Sequence, residues 1–322
     1  MLNYRVFLAP FILACSVSLA DTQPAVVVVA NRQVPDSVDL AEYYIQQRGL
    51  STNHLCVLDL PETEAMSRRD YETKLRDPLL EFLRRKELIQ QTARDPAEVQ
   101  EHESSWTTTE SSVKYIVSMY GVPVRITDTR GRIARAMAEG RDRTVRRDGA
   151  AVDSELALLL AAPYDIMGPQ RNPMFGSLPP SRDMPDEYFV VLAARLDGPD
   201  PQTVRRMMDE ALFAEQHGLL GRVYLDARGL RDGPYVLGDY WIREAGERFR
   251  REGYEVFMDA DEAIWDVDFP MEHAAVYLGW YAEHVSGPFT RESLRFQPGA
   301  IAYHLHSASA AELRTVAELV LG

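Results

Sequence analysis

The sequence predicts an α/β fold, a three-layer sandwich on a mainly parallel sheet. Three observations predict it. Short apolar runs rich in β-branched residues recur along the chain, "AVVVVA" first, which is the pattern of strands buried on both faces of a parallel sheet. Segments with apolar residues at helical spacing lie between them. Strand and helix alternate to the end of the chain, and such crossovers force parallel pairing with helices layered on the sheet.

After the first strand, "DSVDLAEYYIQQRGL" has a capping residue at Asp36 or Ser37, an apolar face of Val38, Ala41, Tyr44 and Ile45, and Gly49 as its stop. "HLCVLDL" is the second strand. Residues 67–85 form a long amphipathic helix opening on "SRRD", a capping box with Asp in place of Glu. "ARDPAEVQEHESSWTTTESS" has too few apolar residues to pack and reads as a surface excursion. "VKYIVSMYGVPV" returns to strand. "DSELALLLAA" is a short helix, "EYFVVLAARLDG" a strand, "DPQTVRRMMDEALFAEQHG" a helix with Pro201 in its first turn, and "GRVYLDARG" a strand. The last third adds the helix "DYWIREAGERFRREG", the strands "YEVFMD", "AAVYLGWY" and "GAIAYHLH", and the helix "SAAELRTVAELVL". No repeat of fixed period and no linker interrupts this, so residues 21–322 read as a single domain.

Residues 1–20 stand apart. Arg5 precedes the apolar run "VFLAPFILACSVSLA", which ends in the small-x-small pattern Ser18-Leu19-Ala20 and falls short of the ~20 residues that cross a bilayer. This is a secretory signal peptide, and it places the protein in the periplasm or outside the cell. The alternative reads Ile12-Leu13-Ala14-Cys15 as a loose lipobox, with Cys15 as a lipid-anchored N-terminus. Either way Cys56 has no cysteine to pair with inside the mature chain beyond a lipidated one, so a packed core must supply stability. Cys56 itself reads as a small buried apolar residue.

The formal charge of −14 becomes −15 once Arg5 leaves with the leader. An acidic body excludes generic binding to nucleic acid or anionic membrane, and no later segment is long enough to span one. One stretch runs against this: eight arginines and no lysine between Arg125 and Arg147. It reads as a solvated loop or short helix, or as a lid whose guanidinium forks hold an anionic ligand or partner.

In an open parallel sheet ligands gather outside the carboxyl ends of the strands. That rule selects Asn31, Tyr120 with Gly121, Arg195 with Asp197, Asp226 with Arg228, Trp280 with Tyr281, and His304 with His306. The two histidines alternate by two and project from one face of a strand, a spacing able to place two nitrogens on a metal. Asp226, Asp197 or Glu155 would supply a third ligand; hydrogen-bonded imidazoles that orient a loop are the alternative. Ser307 or Ser309 beside a histidine could be activated, although serine at a helix start is first an N-cap. The fingerprints of serine hydrolases, zinc proteases and nucleotide or dinucleotide binding are absent, so no cofactor can be read. The acidic run "DADEAIWDVD" lacks the glycine of a calcium loop and reads as solvated.

The blocks "LAEYYIQQRGL", "YGVPVRI", "AAVDSELALLL", "ARLDGPD", "YLDARGL", "LGWYAEHVSGPF" and "RFQPGAIAYHLHSASA" resemble, in order, an uncharacterised family of secreted bacterial proteins that co-occurs with the exosortase sorting system. The resemblance runs from about Ala25 to the end and implies a chain shortened at its C-terminus. A more distant likeness is to the caspase-like fold of gingipain-type cysteine peptidases, in which "AAVYLGWYAEHVSG" and "GAIAYHLHSASA" take the places of the strands ending in the catalytic histidine and cysteine. The chemistry does not carry over, because no His-Gly pair follows the first, though His284 lies nearby, and the second ends in His-Ser. Three functions follow. The chain is a hydrolase-like envelope factor without the peptidase cysteine, an active hydrolase using His304 and His306 with or without a metal, or a module docking an acidic envelope protein or polymer through Arg125–Arg147.

Overall fold

The computed structural model describes residues 25–99, 103–142, 145–161, 163–170, 189–263, 265–280, 286–305 and 313–314. In chain order the first half holds β1 (Ala25–Asn31), α1 (Pro35–Arg48), β2 (Leu55–Leu58), β3 (Ala65–Ser67), α2 (Arg68–Asp70), α3 (Asp77–Arg85), β4 (Ile89–Ala93), β5 (Trp106–Ser111), β6 (Val113–Met119), β7 (Arg125–Thr127), α4 (Arg130–Ala138), β8 (Ala150–Ala151) and α5 (Val152–Ala157). The second holds β9 (Leu192–Leu196), α6 (Pro201–His217), β10 (Arg222–Asp226), α7 (Val236–Arg251), β11 (Val256–Asp259), β12 (Ala274–Trp280) and β13 (Phe296–Leu305).

The α/β class is the one the sequence predicts, but the parallel strands divide between two sheets instead of forming one. The first has the order β2-β1-β6-β9 and the second β11-β10-β12-β13, with every pairing in both parallel. β1 lies inside the first because Val27, Val28, Val29 and Ala30 are all fully buried, each valine contributing about 1.5–3 kcal/mol. Leu40, Ala41 and Ile45 of α1 cover one face. Leu79, Leu80 and Leu83 of α3 cover the other, which makes three layers. In the second sheet Ile242 of α7 packs against Val223, Leu225 and Val276. Its opposite face carries an aromatic cluster of Tyr224, Trp265, Phe269, Tyr277 and Phe289.

Local signals hold at several boundaries. Gly49 ends α1 in the left-handed conformation, with φ 61°. Ser67 caps α2, its hydroxyl accepting from the Asp70 N–H and donating to the Asp70 carboxylate. Asp200 caps α6 ahead of Pro201.

Three expectations are corrected. Neither Asp36 nor Ser37 caps α1: the helix starts at Pro35, and the Ser37 hydroxyl accepts from the Asn31 N–H at 2.9 Å. The long helix over 67–85 is interrupted by a π-helical turn, Tyr71–Arg76, just before Pro78, whose ring and missing N–H disturb the regular ladder. The surface excursion of residues 93–112 is not without structure: β5 lies in it and pairs antiparallel with β4, the segment just before it. The two strands are built from threonine and glutamine with one half-buried face, so an apolar count misses them; Arg84 stacks on Trp106 at 4.6 Å.

Candidate functional site

The strand-end residues divide between the carboxyl edges of two sheets: Asn31, Tyr120, Gly121, Arg195 and Asp197 lie at or just after strand ends of the first, and Asp226, Arg228, Trp280 and His304 at or just after those of the second. Tyr281, His284, His306, Ser307 and Ser309 lie outside the described residues.

On the first rim the polar groups satisfy one another. Asn31 is fully buried and uses its whole side chain: Nδ2 donates to the Pro61 and Gly121 carbonyls, each at 2.9 Å, and Oδ1 accepts from the Leu60 and Gln33 amides, each at 3.1 Å. Arg195 forks onto Asp153 at 2.8 and 2.9 Å, donates to the Val122 and Pro123 carbonyls, and reaches Asp197 at 3.2 Å. Asp197 also receives a fork from Arg314. Glu155, a candidate ligand residue, is buried instead in a pair with Arg68 at 2.8 Å, and the Tyr164 hydroxyl donates to it at 2.6 Å.

The second rim is built differently. Parallel pairing aligns Asp259, Asp226, Gly279 and His304 on one rung across all four strands, so their side-chain positions share one face. Gly279 lacks the side chain that would separate Asp226 from His304. The Tyr277 hydroxyl takes that space, 2.3 Å from where a Cβ on Gly279 would stand, and donates to Asp226 Oδ2 at 3.4 Å. His304 presents its ring 6.3 Å from the Tyr277 ring, and its Nε2 lies 3.2 Å from the Trp280 carbonyl. A carbonyl only accepts, so Nε2 carries the proton in this contact.

Burial raises Asp226 from the ordinary 3.8 to about 6, with the Asp259 and Asp239 charges adding to the rise and the Tyr277 hydrogen bond opposing it. Burial also raises the Tyr277 phenol, as does the neighbouring Asp226, which keeps it a donor. A carboxyl that changes protonation near pH 6 matches the requirement for acid–base work at neutral pH. The folded chain holds its proton between pH 3.8 and about 6 while the unfolded chain has released it, so this group's contribution to stability falls as pH rises through that window. Asp226→Asn is expected to flatten that part of the stability–pH curve, measured by urea unfolding at pH 4.5 and 7.5.

Behind the rung, Asp239 on α7 accepts from the Arg228 and Leu230 amides and from Trp280 Nε1 at 2.7 Å. Arg228 lies 5.8 Å over the Trp280 ring and reaches Glu262 at 3.3 Å. These two side chains thus brace the loop after β10.

Cys56 is buried in β2, and desolvation pushes its thiol up to about 12. It supplies no thiolate. Native protein is therefore expected to resist a thiol-reactive disulfide reagent at pH 8 and to react within seconds in denaturant. Among the described residues no three His, Cys, Asp or Glu side chains gather to hold a metal. Of the three carboxylates expected as a third ligand beside His304, Asp197 and Glu155 are paired with arginines and only Asp226 shares its rung. In the arginine-rich stretch, Arg132, Arg135, Arg141 and Arg147 pair with Asp148, Glu139, Asp165 and Asp128. No helix among the described residues is long and apolar enough to cross a membrane.

The strand-end rule found Asp226 and His304 but passed over Tyr277, Gly279 and Asp259. Tyr277 stands two residues before Gly279, the spacing that lets a large side chain lean under a glycine on its own face. That signal was readable in "VYLGW". Compared with protein-family models, with curated proteins and with solved structures, the chain finds no match.

Proposed function

We propose that the chain is a hydrolase-like α/β domain of the bacterial envelope whose working site is the carboxyl rim of the second sheet. The observation that carries this reading is the rung in which Asp226, the Tyr277 hydroxyl and His304 follow one another across Gly279. Asp226 holds or gives up a proton near pH 6, as a group that activates water must, and His304 stands on the same rung beside it. The signal peptide and the resemblance to a family found with the exosortase system support an envelope location. The adjacency of β12 and β13 agrees with the distant caspase-like likeness, and the buried Cys56 with the loss of thiolate chemistry.

The test is turnover of fluorogenic peptides, esters and glycosides by the full secreted chain between pH 5 and 8. One class is expected to be cleaved under control of a group titrating near 6. Asp226→Asn and His304→Ala, each folded by circular dichroism, are expected to lose ~100-fold or more. Absence of turnover across the panel, or undiminished rates in both variants, overturns the reading.

A further inference from the structure

We propose that the first rim contains a pocket for the arginine side chain of a peptide, filled in cis by Arg314. The guanidinium of Arg314 forks onto Asp197, Nε to Oδ1 at 3.1 Å and Nη2 to Oδ2 at 2.5 Å, and Nη2 also donates to the Val122 carbonyl at 3.1 Å. Its flat face lies 5.1 Å from the Tyr120 ring. The carboxylate that receives it is almost wholly enclosed, with 1% of its side chain exposed. A planar fork, a carbonyl and an aromatic face together suit guanidinium and not ammonium.

The backbone is recognised as well. Glu64 Oε1 accepts from the amides of Leu313 and Arg314 at 2.8 and 2.7 Å. The pocket therefore reads an arginine together with the peptide leading into it, which distinguishes an arginyl peptide from a free guanidinium ion.

Two features make the occupant exchangeable. Arg195, locked on Asp153 and on the Val122 and Pro123 carbonyls, holds Asp197 in place without help from Arg314, and the Gly198 amide donates to the same carboxylate at 2.9 Å. With Arg314 withdrawn, Arg195 faces two carboxylates, Asp153 and Asp197, so one negative charge is left uncompensated beside Glu64. The empty pocket thus attracts a cation. A tethered Arg314 competes at an effective concentration in the millimolar range, and an external peptide must exceed that or meet a chain whose own arginine has been drawn away.

The experiment compares the full chain with Arg314→Ala, titrated by calorimetry with the blocked dipeptide acetyl-Leu-Arg-amide and its lysine counterpart. The variant is expected to bind the arginine peptide at least tenfold more tightly than the native chain does and at least tenfold more tightly than the lysine peptide. Adding Asp197→Asn is expected to abolish that binding. Equal affinity of variant and native chain, or equal affinity for the two peptides, overturns the proposal and leaves Arg314 as an ordinary structural ion pair. Should Arg314→Ala fail to fold, Arg314→Lys, which keeps the charge and loses the fork, is measured in its place against the same outcomes. Neither result depends on activity at the second rim.

Discussion

Asn31→Asp is expected to cost about 4 kcal/mol of stability at pH 7. The substitution keeps the shape and removes only the donors, so two carbonyls, Pro61 and Gly121, each lose a hydrogen bond at 2.9 Å and face a carboxylate oxygen instead. A buried group left unsatisfied costs roughly 1–3 kcal/mol, and the site is fully enclosed, so no water restores the bonds. The loss matters because domains are stable by only about 5–15 kcal/mol. Asn31 ties the end of β1 to the loops after β2 and β6, and with it the whole first rim. Urea unfolding of native and variant chains measures the difference. It is expected to shrink at pH 4, where a protonated carboxyl regains one donor. A difference that is small and independent of pH sinks this account.

Arg195→Leu is expected to cost about 3–5 kcal/mol, the range found when one partner of a buried ion pair is removed. Five hydrogen bonds from one guanidinium hold Asp153, Asp197 and two carbonyls in register, and the arginine side chain is itself 10% exposed. Leucine fills the volume and takes the Arg195 donors from Asp153 and the Pro123 carbonyl, while Asp197 and the Val122 carbonyl keep only Arg314 and, for Asp197, the Gly198 amide. Arg195→Lys restores the charge but not the fork, so it is expected to recover less than half of the loss. Recovery of nearly all the stability by lysine is the result that would contradict the geometry described.

How much of this was legible in the sequence differs by level. Apolar runs such as "AVVVVA" announced buried parallel strands because burial on both faces leaves no polar position in the pattern. The cap at Ser67 and the stop at Gly49 were local chemistry and are legible in the sequence. Ser37 was misread because its hydroxyl is claimed by Asn31, six residues back, a competition no local rule anticipates. The hairpin of β4 and β5 was missed because cross-strand pairs such as Gln91 with Thr108 stabilise a sheet without apolar alternation.

The sequence by itself determined the α/β class, the succession of the eight strands that form the two parallel sheets, and the residue types at the strand ends. Only the tertiary structure decided that those ends divide between two sheets, that Arg195, Asp197 and Glu155 are consumed by ion pairs, and that Asp226, Tyr277 and His304 come together over Gly279. The physical reason is that strand identity is written in local periodicity, whereas strand neighbourhood is settled by pairings between residues far apart in the chain. A one-residue change of register would have turned His304 to the other face and separated it from Asp226.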